Sequence, residues 1–348
     1  MDQSLLKRLE RTVQALDRRN IVKSHVVMLP DFFVDHFVSL ESAKKTSTVI
    51  DALVKQGGGN LPGVPQQISQ GGNAANTALA LARLGVTSHL ICRTDQFGMH
   101  CLQFFLGKHQ VDLSGVKTTG KLAITTALEF QKNHTNVMLG DPGSVADFSF
   151  DLLDSRDHAC LLASDIVGVV NWNLNAYGTE LAQKVFETVK KEGVKTFFDS
   201  GDPSPRVKDI PKLILQVLRN PRLDIFGLNE NELRYYSTIT ETSQEGLLGA
   251  LTELKKQMSA RIDLHTARFS CSMDSIPTIV PTAYYPKIYR STGAGDAWNA
   301  ADLFAELFGF EDDERLLFAN IAAGCYISTH KPIHPTIDTI LNFIKKML

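Results

Sequence analysis

The chain has 348 residues, of which 43% are hydrophobic and 21% are charged, and its 36 basic and 38 acidic side chains leave a formal net charge of −2. These proportions are ordinary for a folded domain and exclude an extensively disordered chain. The near-neutral charge provides no overall field that would attract nucleic acid or an anionic membrane, so neither is expected as a partner.

The N-terminus and the cysteines predict a cytoplasmic protein. Residues 1–23 are typical of an amphipathic surface helix and not of a signal peptide. One face of this helix carries Leu6, Leu9, Val13 and Leu16. The five cysteines are scattered and contain no C-x-x-C pair that would bind zinc. No run approaches the roughly 18 apolar residues that a membrane span needs. We expect one main domain over residues 24–348.

Apolar runs typical of strands alternate with segments of helical period from residue 24 onwards. The strand-like runs are 24–29, 86–92, 165–172, 196–199 and 223–228, and the helix-like segments are 75–84 and 179–191. Gly85 and Gly193 follow the two helical segments, where a left-handed residue commonly ends a helix. The alternation predicts an α/β fold, a doubly wound and mostly parallel sheet with helices on both faces.

Two stretches interrupt this alternation. Residues 37–70 are rich in glycine and proline, and residues 120–145 contain two strand-like runs, LAITTALEF and TNVMLG, around QKNH. Together they predict a small β lid over a substrate, and two ordinary surface loops are the alternative. A lid with an exposed edge also predicts a possible homodimer through the lids.

The segment STGAGDAWNAADLFAELFG, residues 291–309, carries the strongest chemical signal. Gly293 and Gly295 flank Ala294 directly before a predicted helix, so an anion can approach the unpaired N–H groups of its first turn. Asp296 follows at the same helix start, where it is either a helix cap or a general base. In-line phosphoryl transfer requires both an anion hole and a base, and this segment offers both.

Three further segments contain candidate ligand-binding side chains. In QGGNAAN, Gly72 allows a tight turn, and Asn73 and Asn76 either present amides to a polyol or serve as a cap and a solvated residue. Asp35 follows the first strand, where open sheets bind ligands, and Asp31 is interpreted as a turn residue. In GLNENELRYY, the remaining candidates are Asn229 and Glu232, which either start a helix or organise magnesium and phosphate water.

In combination, GGNAAN, N-x-x-E and TGAGD resemble the ribokinase-like (PfkB) carbohydrate kinase family over roughly residues 24–330. The resemblance implies a ribokinase-like fold and an ATP-dependent phosphotransferase with Mg2+ that moves the γ-phosphoryl group to a hydroxyl of a sugar or nucleoside. We expect an unphosphorylated acceptor. An adenosine-like nucleoside kinase and a non-catalytic carbohydrate- or nucleotide-binding protein are the alternatives.

The resemblance also implies a role for each matching residue. Asp296 would be the base, beside an anion hole formed by the amides of Gly293, Ala294 and Gly295. The acceptor would be held by Asp35, Gly72, Asn73 and Asn76. The nucleotide would be bound by Asn229, Glu232, Thr292 and Ala267, with Glu232 also at the metal.

The chain departs from the family pattern at several positions. Arg290 replaces the aspartate that usually stands six residues before the base and in some members helps to bind a monovalent cation, which predicts activity without potassium. In HTARFS, Ala267 and Ser270 replace the glycines of the turn near the adenine. His330 or His334 would be available to stack on a base.

Overall fold

The computed structural model describes residues 2–132, 135–237, 243–283, 285 and 287–348, so Asn133 and His134 of the predicted QKNH turn lie outside the described residues. The strands are β1 (His25–Leu29), β2 (Phe33–Leu40), β3 (Gln66–Gly71), β4 (Thr87–Leu90), β5 (Cys92–Arg93), β6 (Val111–Asp112), β7 (Val116–Lys117), β8 (Ala123–Phe130), β9 (Thr135–Asp141), β10 (Ile166–Val169), β11 (Lys195–Asp199), β12 (Ile225–Asn229), β13 (Arg261–His265), β14 (Phe269–Met273) and β15 (Pro277–Pro281). The α-helices are α1 (Gln3–Gln14), α2 (Arg18–Lys23), α3 (Ala43–Lys55), α4 (Asn73–Arg83), α5 (Gln96–Leu106), α6 (Ser155–Leu162), α7 (Gly178–Val189), α8 (Ile210–Leu213), α9 (Glu230–Tyr236), α10 (Gln244–Lys255), α11 (Ala294–Leu307), α12 (Asp312–Ile327) and α13 (Ile337–Met347).

A nine-stranded sheet forms the centre of the molecule, in the order β15-β14-β13-β12-β11-β10-β1-β4-β6. The seven strands from β13 to β6 in this order pair in parallel, and β14 and β15 are antiparallel. The chain reverses its direction of winding between β1 and β10, which is the position where open sheets bind ligands. The predicted doubly wound, mostly parallel sheet is confirmed.

Helices cover both faces of this sheet because its central strands are apolar on both sides. One buried cluster joins the sheet to α1, α4, α5, α11, α12 and α13, and a second joins it to α6, α7, α8, α9 and α10. Gly85 and Gly193 have φ angles of 97° and 77°, as predicted for residues that end helices. Glycine avoids the cost that a side chain would add in this conformation.

The N-terminal segment forms two helices, α1 and α2. Leu6, Leu9 and Val13 are buried, and α1 packs against α12 and α13. Arg8 pairs with Glu314 at 3.1 Å, which adds a polar contact between α1 and α12. No helix in the described part of the chain is long and apolar enough to cross a membrane.

A second sheet stands apart from the main one, in the order β3-β2-β8-β9. β2 pairs antiparallel with β3 and parallel with β8, and β8 pairs antiparallel with β9. These four strands, which we call the small sheet, occupy parts of the two stretches that interrupt the alternation. The helix α3, which lies between β2 and β3, has no buried residue and was not predicted from the sequence.

Candidate active site

The start of α4 is held at the switch point of the main sheet by a buried carboxylate. Asp31, which follows β1, accepts the backbone N–H of Asn73 at 2.8 Å and of Ala74 at 2.9 Å. The side-chain amide of Asn171, which follows β10, donates to Asp31 at 2.7 Å. Asp31 is therefore the capping partner of α4, and neither asparagine of the GGNAAN segment caps this helix, contrary to one of the two sequence-based readings.

The helix α11 begins at Gly293, whose φ of 81° is left-handed and whose absent side chain leaves room for Tyr326. Asp296 lies in the first turn and makes no capping hydrogen bond, so the capping interpretation of this residue is wrong. Its Oδ2 accepts a hydrogen bond of 2.8 Å from Nδ2 of Asn76. The contact forms because α4 and α11 pack side by side.

Burial and negative neighbours shape the electrostatics of this site. Burial raises the pKa of Asp296 well above its usual value, the Asn76 amide opposes this shift, and the charge of Asp199 adds to it. Burial also raises the pKa of Asp35 and that of Asp31 to about 6. A carboxyl with a raised pKa is a stronger proton acceptor once ionised, which suits a general base near neutral pH.

A cavity of about 770 Å³, which we call the acceptor cavity, is lined by Asn76, the hydrogen-bond partner of Asp296. The small sheet contributes Asp35 to its wall, α4 contributes Asn76, and the segment before α11 contributes Arg290, Thr292 and Gly293. Its volume is within the range of sites that bind small molecules. Asp35 and Asn76 thus lie in one cavity with the start of α11. Gly72 and Asn73 lie at the start of α4, next to Asp31.

On another side of the start of α11 lies an imidazole that the sequence analysis did not select. His265 ends β13, and its ring is tilted against Trp298 with centroids 5.0 Å apart. A Cβ built on Gly295 would lie 3.4 Å from Cε1 of His265. Burial lowers the pKa of His265 to about 4, so the ring is neutral at pH 7.

Two buried carboxylates meet at the ends of β11 and β12. Asp199 accepts hydrogen bonds from the Gly201 backbone at 2.8 Å and from Nδ2 of Asn299 at 2.7 Å. Burial and then the charge of Asp199 raise the pKa of Glu232. Glu232 accepts the backbone N–H and side-chain amide of Asn229 at 2.9 and 2.7 Å, which closes a capping box on α9. Asn229 and Glu232 therefore start a helix, which was one of the two interpretations of these residues. Binding of magnesium or phosphate would be a second role.

The donor set at this position fits a magnesium ion. Within the described ranges, no lysine or arginine nitrogen lies within 4.0 Å of the carboxylate of Asp199 or Glu232. No group of three or more His, Cys, Asp or Glu side chains in that part of the chain forms a metal cage. Mg2+ commonly binds through one or two carboxylates and completes its shell with water and phosphate, so an uncompensated pair suits it.

The remaining predicted positions lie around this centre. Ala267 is exposed in the turn between β13 and β14, where its carbonyl accepts the Thr282 hydroxyl at 2.8 Å. His330 is exposed and lies against Tyr289, with ring centroids 3.8 Å apart. His334 is buried and stacked on Tyr326 of α12, and so it is not available to a nucleotide base.

Comparisons with known proteins agree with this arrangement. The profile described as "pfkB family carbohydrate kinase" matches residues 47–340. The chain is 24% identical over 305 residues to a 5-dehydro-2-deoxygluconokinase of Clostridium perfringens, with 79% of this chain and 84% of the relative covered. It is 23% identical over 332 residues to the bifunctional protein HldE of Aliarcobacter butzleri, covering 92% of this chain and 64% of the relative. The chain thus spans less than two thirds of that bifunctional protein.

Among solved structures, the ribokinase of Arabidopsis thaliana, described with ribose and ATP, superposes with a TM-score of 0.76 at 19% sequence identity. The match covers 92% of this chain and 98% of the ribokinase. The doubly wound sheet of this chain therefore has the ribokinase-like fold. The chain belongs to the pfkB family of carbohydrate kinases.

Proposed function

We propose that this protein is an ATP-dependent kinase that phosphorylates a hydroxyl of a carbohydrate. The observation that carries the proposal is the contact between Asn76 and Asp296 at the glycine-flanked start of α11, beside the acceptor cavity. It supplies an oriented base next to the first N–H groups of α11, which are the two protein parts that phosphoryl transfer requires. Of these groups, the Ala294 N–H donates to the Ser291 carbonyl at 3.1 Å, so a phosphoryl group would replace that contact.

In the proposed reaction, Asp296 removes the proton from the acceptor hydroxyl as the acceptor oxygen bonds to the γ-phosphorus. The bond between that phosphorus and the bridging oxygen of ADP breaks, and ADP leaves with the electron pair. The backbone N–H groups of Gly293, Ala294 and Gly295 stabilise the charge of the transferred group. Asn76, which lines the cavity, holds the carboxylate of Asp296 in one orientation.

We propose that Glu232, with Asn229 and Asp199, holds the magnesium and phosphate end of the nucleotide. A bound Mg2+ would neutralise phosphate charge there. Thr292 and Ala267 would lie nearer the nucleotide, and Asp35, Gly72 and Asn73 would hold the acceptor. The relative named as a gluconokinase favours a carbohydrate acceptor over a nucleoside. The homodimer through the small sheet and the cytoplasmic location stay predictions.

The experiment that tests the function is an ADP-release assay with Mg-ATP and a panel of pentoses, hexoses, sugar acids, sugar phosphates and nucleosides. Release that depends on an acceptor, and that Asp296→Asn removes, supports the proposal. If no acceptor causes ADP or GDP release with ATP or GTP, and the protein still binds a ligand, the result would favour a non-catalytic binding protein.

Asp35→Asn should raise the KM for the acceptor about tenfold or more and leave the KM for ATP unchanged. The carboxylate lines the acceptor cavity, and a lost charged hydrogen bond costs about 1.5–3 kcal/mol. The control is Asp31→Asn, because that carboxylate caps α4 and should affect unfolding by urea more than the KM. Steady-state kinetics with each substrate varied in turn, beside urea titrations, separates the two. An equal change in both KM values would argue against an acceptor role for Asp35.

Exchanging sodium for potassium should change the rate less than about twofold. Arg290 stands where the family pattern places an aspartate that in some members helps to bind a monovalent cation, and a guanidinium repels potassium. Initial rates at constant ionic strength in NaCl and KCl measure the effect, with choline chloride as the reference. A several-fold rise in potassium would contradict the prediction.

A further inference from the structure

Arg290 is the one lysine or arginine among the described residues that line the acceptor cavity. It lies in the segment before α11, three residues before Gly293, and is not part of the small sheet. Asp35 of the small sheet and Glu129 of β8 are the acidic lining residues. The cavity therefore presents a single fixed positive charge to whatever it holds.

The charge of Arg290 is not neutralised by the protein. No carboxylate oxygen of a described residue lies within 4.0 Å of its nitrogens. One nitrogen donates to the His330 carbonyl, and the guanidinium lies over the Tyr326 ring at 5.8 Å from its centroid. The Nε atom is buried and has no hydrogen-bond partner among the described residues. A buried donor without an acceptor costs folding free energy. An anion that accepts hydrogen bonds from this guanidinium therefore gains a strong, charge-assisted interaction.

Two other arginines of this chain, the buried Arg315 and the partly buried Arg261, show the contrast. Arg315 contacts the carboxylates of Asp263 and Asp312 at 3.1 and 2.9 Å, and also pairs with Asp302. Arg261 pairs with Asp263 at 2.9 Å and with Glu306 at 2.6 Å. Each of these two guanidinium groups is paired with at least two protein carboxylates, which is the usual way in which the charge of a buried arginine is compensated. Arg290 departs from that state at the wall of a cavity.

We infer that Arg290 binds an anionic group of the acceptor, and that the acceptor is a sugar acid whose carboxylate pairs with this guanidinium. The inference rests on the proposed kinase function and specifies its substrate class. A single planar guanidinium matches a monoanionic carboxylate in a two-pronged geometry. The uncharged lining side chains Gln67, Ser69 and Asn136 suit the hydroxyls of the rest of the molecule.

The position of Arg290 favours the acceptor over the nucleotide as the source of the anion. Arg290 shares its cavity with Asp35 and Asn76. Of the described residues that we propose for the nucleotide, Thr292 also lines this cavity, whereas Asn229, Glu232 and Ala267 do not. A group bound at Arg290 therefore lies in the cavity on the Asn76 side of Asp296. A sugar phosphate offers the same anionic chemistry, and the test separates it from a sugar acid.

The test compares five- and six-carbon aldonates, the matching neutral alditols, and the alditol phosphates, each as an acceptor for ADP release and as a calorimetric ligand without nucleotide. We expect the wild-type protein to prefer an aldonate over its alditol at least tenfold. Arg290→Gln should reduce kcat/KM for the aldonate by about 30-fold, which corresponds to about 2 kcal/mol, and leave the alditol unchanged. Arg290→Lys should restore part of this loss.

The matched control is Arg219→Gln, because Arg219 is exposed, contacts Gln257 and lies outside the cavity. It should behave as wild type. Preference for the alditols, preference for the phosphates, or no binding of any panel member at 10 mM would each overturn the inference. An equal loss with every acceptor, or a raised KM for ATP, would assign Arg290 to the nucleotide instead. If the wild-type protein binds an aldonate but shows no turnover, and Arg290→Gln abolishes that binding, the inference about Arg290 stands and the kinase function is rejected.

Discussion

Asp296→Asn protein should turn over about 10²–10⁴-fold more slowly than wild type while it remains folded and binds acceptor. The asparagine has nearly the same shape, and its oxygen can still accept the Nδ2–H of Asn76. It cannot take the proton of the acceptor hydroxyl. The measurement is kcat by ADP release, with acceptor affinity determined by calorimetry.

The free energy of unfolding should not fall in this variant. The pKa of Asp296 is raised in the folded protein, first by burial and then by nearby carboxylates such as Asp199. Such a carboxyl stabilises the folded state fully when the pH is below the pKa that the group has in the unfolded chain. This contribution is lost as the pH rises through the higher pKa that the group has in the folded protein. Asp296 therefore lowers stability at a pH above its unfolded pKa, and the neutral asparagine removes this cost.

Urea titrations at pH 8 and pH 4 test the sign of this effect. Asp296→Asn should be at least as stable as wild type at pH 8, and the difference should shrink at pH 4. The control is Asp95→Ala, because Asp95 caps α5 by accepting the N–H of Gly98 at 2.7 Å. It should lose about 1 kcal/mol of stability and keep kcat. Parallel loss of stability and activity in Asp296→Asn would indicate a structural role.

The parts of the fold that depend on local patterns were predictable from the sequence. Continuous apolar runs gave the central strands, and Gly85 and Gly193 marked helix ends because their left-handed conformations are local. The helix α3 was missed although Val49, Ile50, Leu53 and Val54 repeat at helical spacing after the Ser42 cap. The glycine- and proline-rich residues that follow it favoured a β lid, with surface loops as the alternative, and neither interpretation includes a helix.

The contacts of the site could not be predicted because they join distant parts of the chain. Asn76 and Asp296 are 220 residues apart, and only the packing of α4 against α11 brings them together. Asp31 was interpreted as a turn residue. Its partner Asn171 follows β10, and no sequence motif marks that position. The one available signal was that both residues follow strands on either side of the switch point.

Gly295→Ala and Gly293→Ala should have opposite consequences for stability and a shared loss of activity. A Cβ on Gly295 would find its nearest neighbour at 3.4 Å, an ordinary contact with His265. Alanine also favours a helix interior over glycine by about 1 kcal/mol. The Gly295→Ala protein should therefore be as stable as wild type or more so. Its methyl group would nevertheless occupy the space through which a phosphoryl group reaches the backbone N–H groups.

We expect turnover of Gly295→Ala to fall about 10²-fold, which is the effect of losing one anion-stabilising donor. Gly293→Ala should lose about 1–2 kcal/mol of stability, because its φ of 81° disfavours a side chain and a Cβ would lie 2.6 Å from the Tyr326 hydroxyl. Urea titrations and kcat measurements on both variants separate the two roles. Full activity in Gly295→Ala would contradict the anion hole. It would show that a methyl group next to the backbone N–H groups does not hinder phosphoryl transfer.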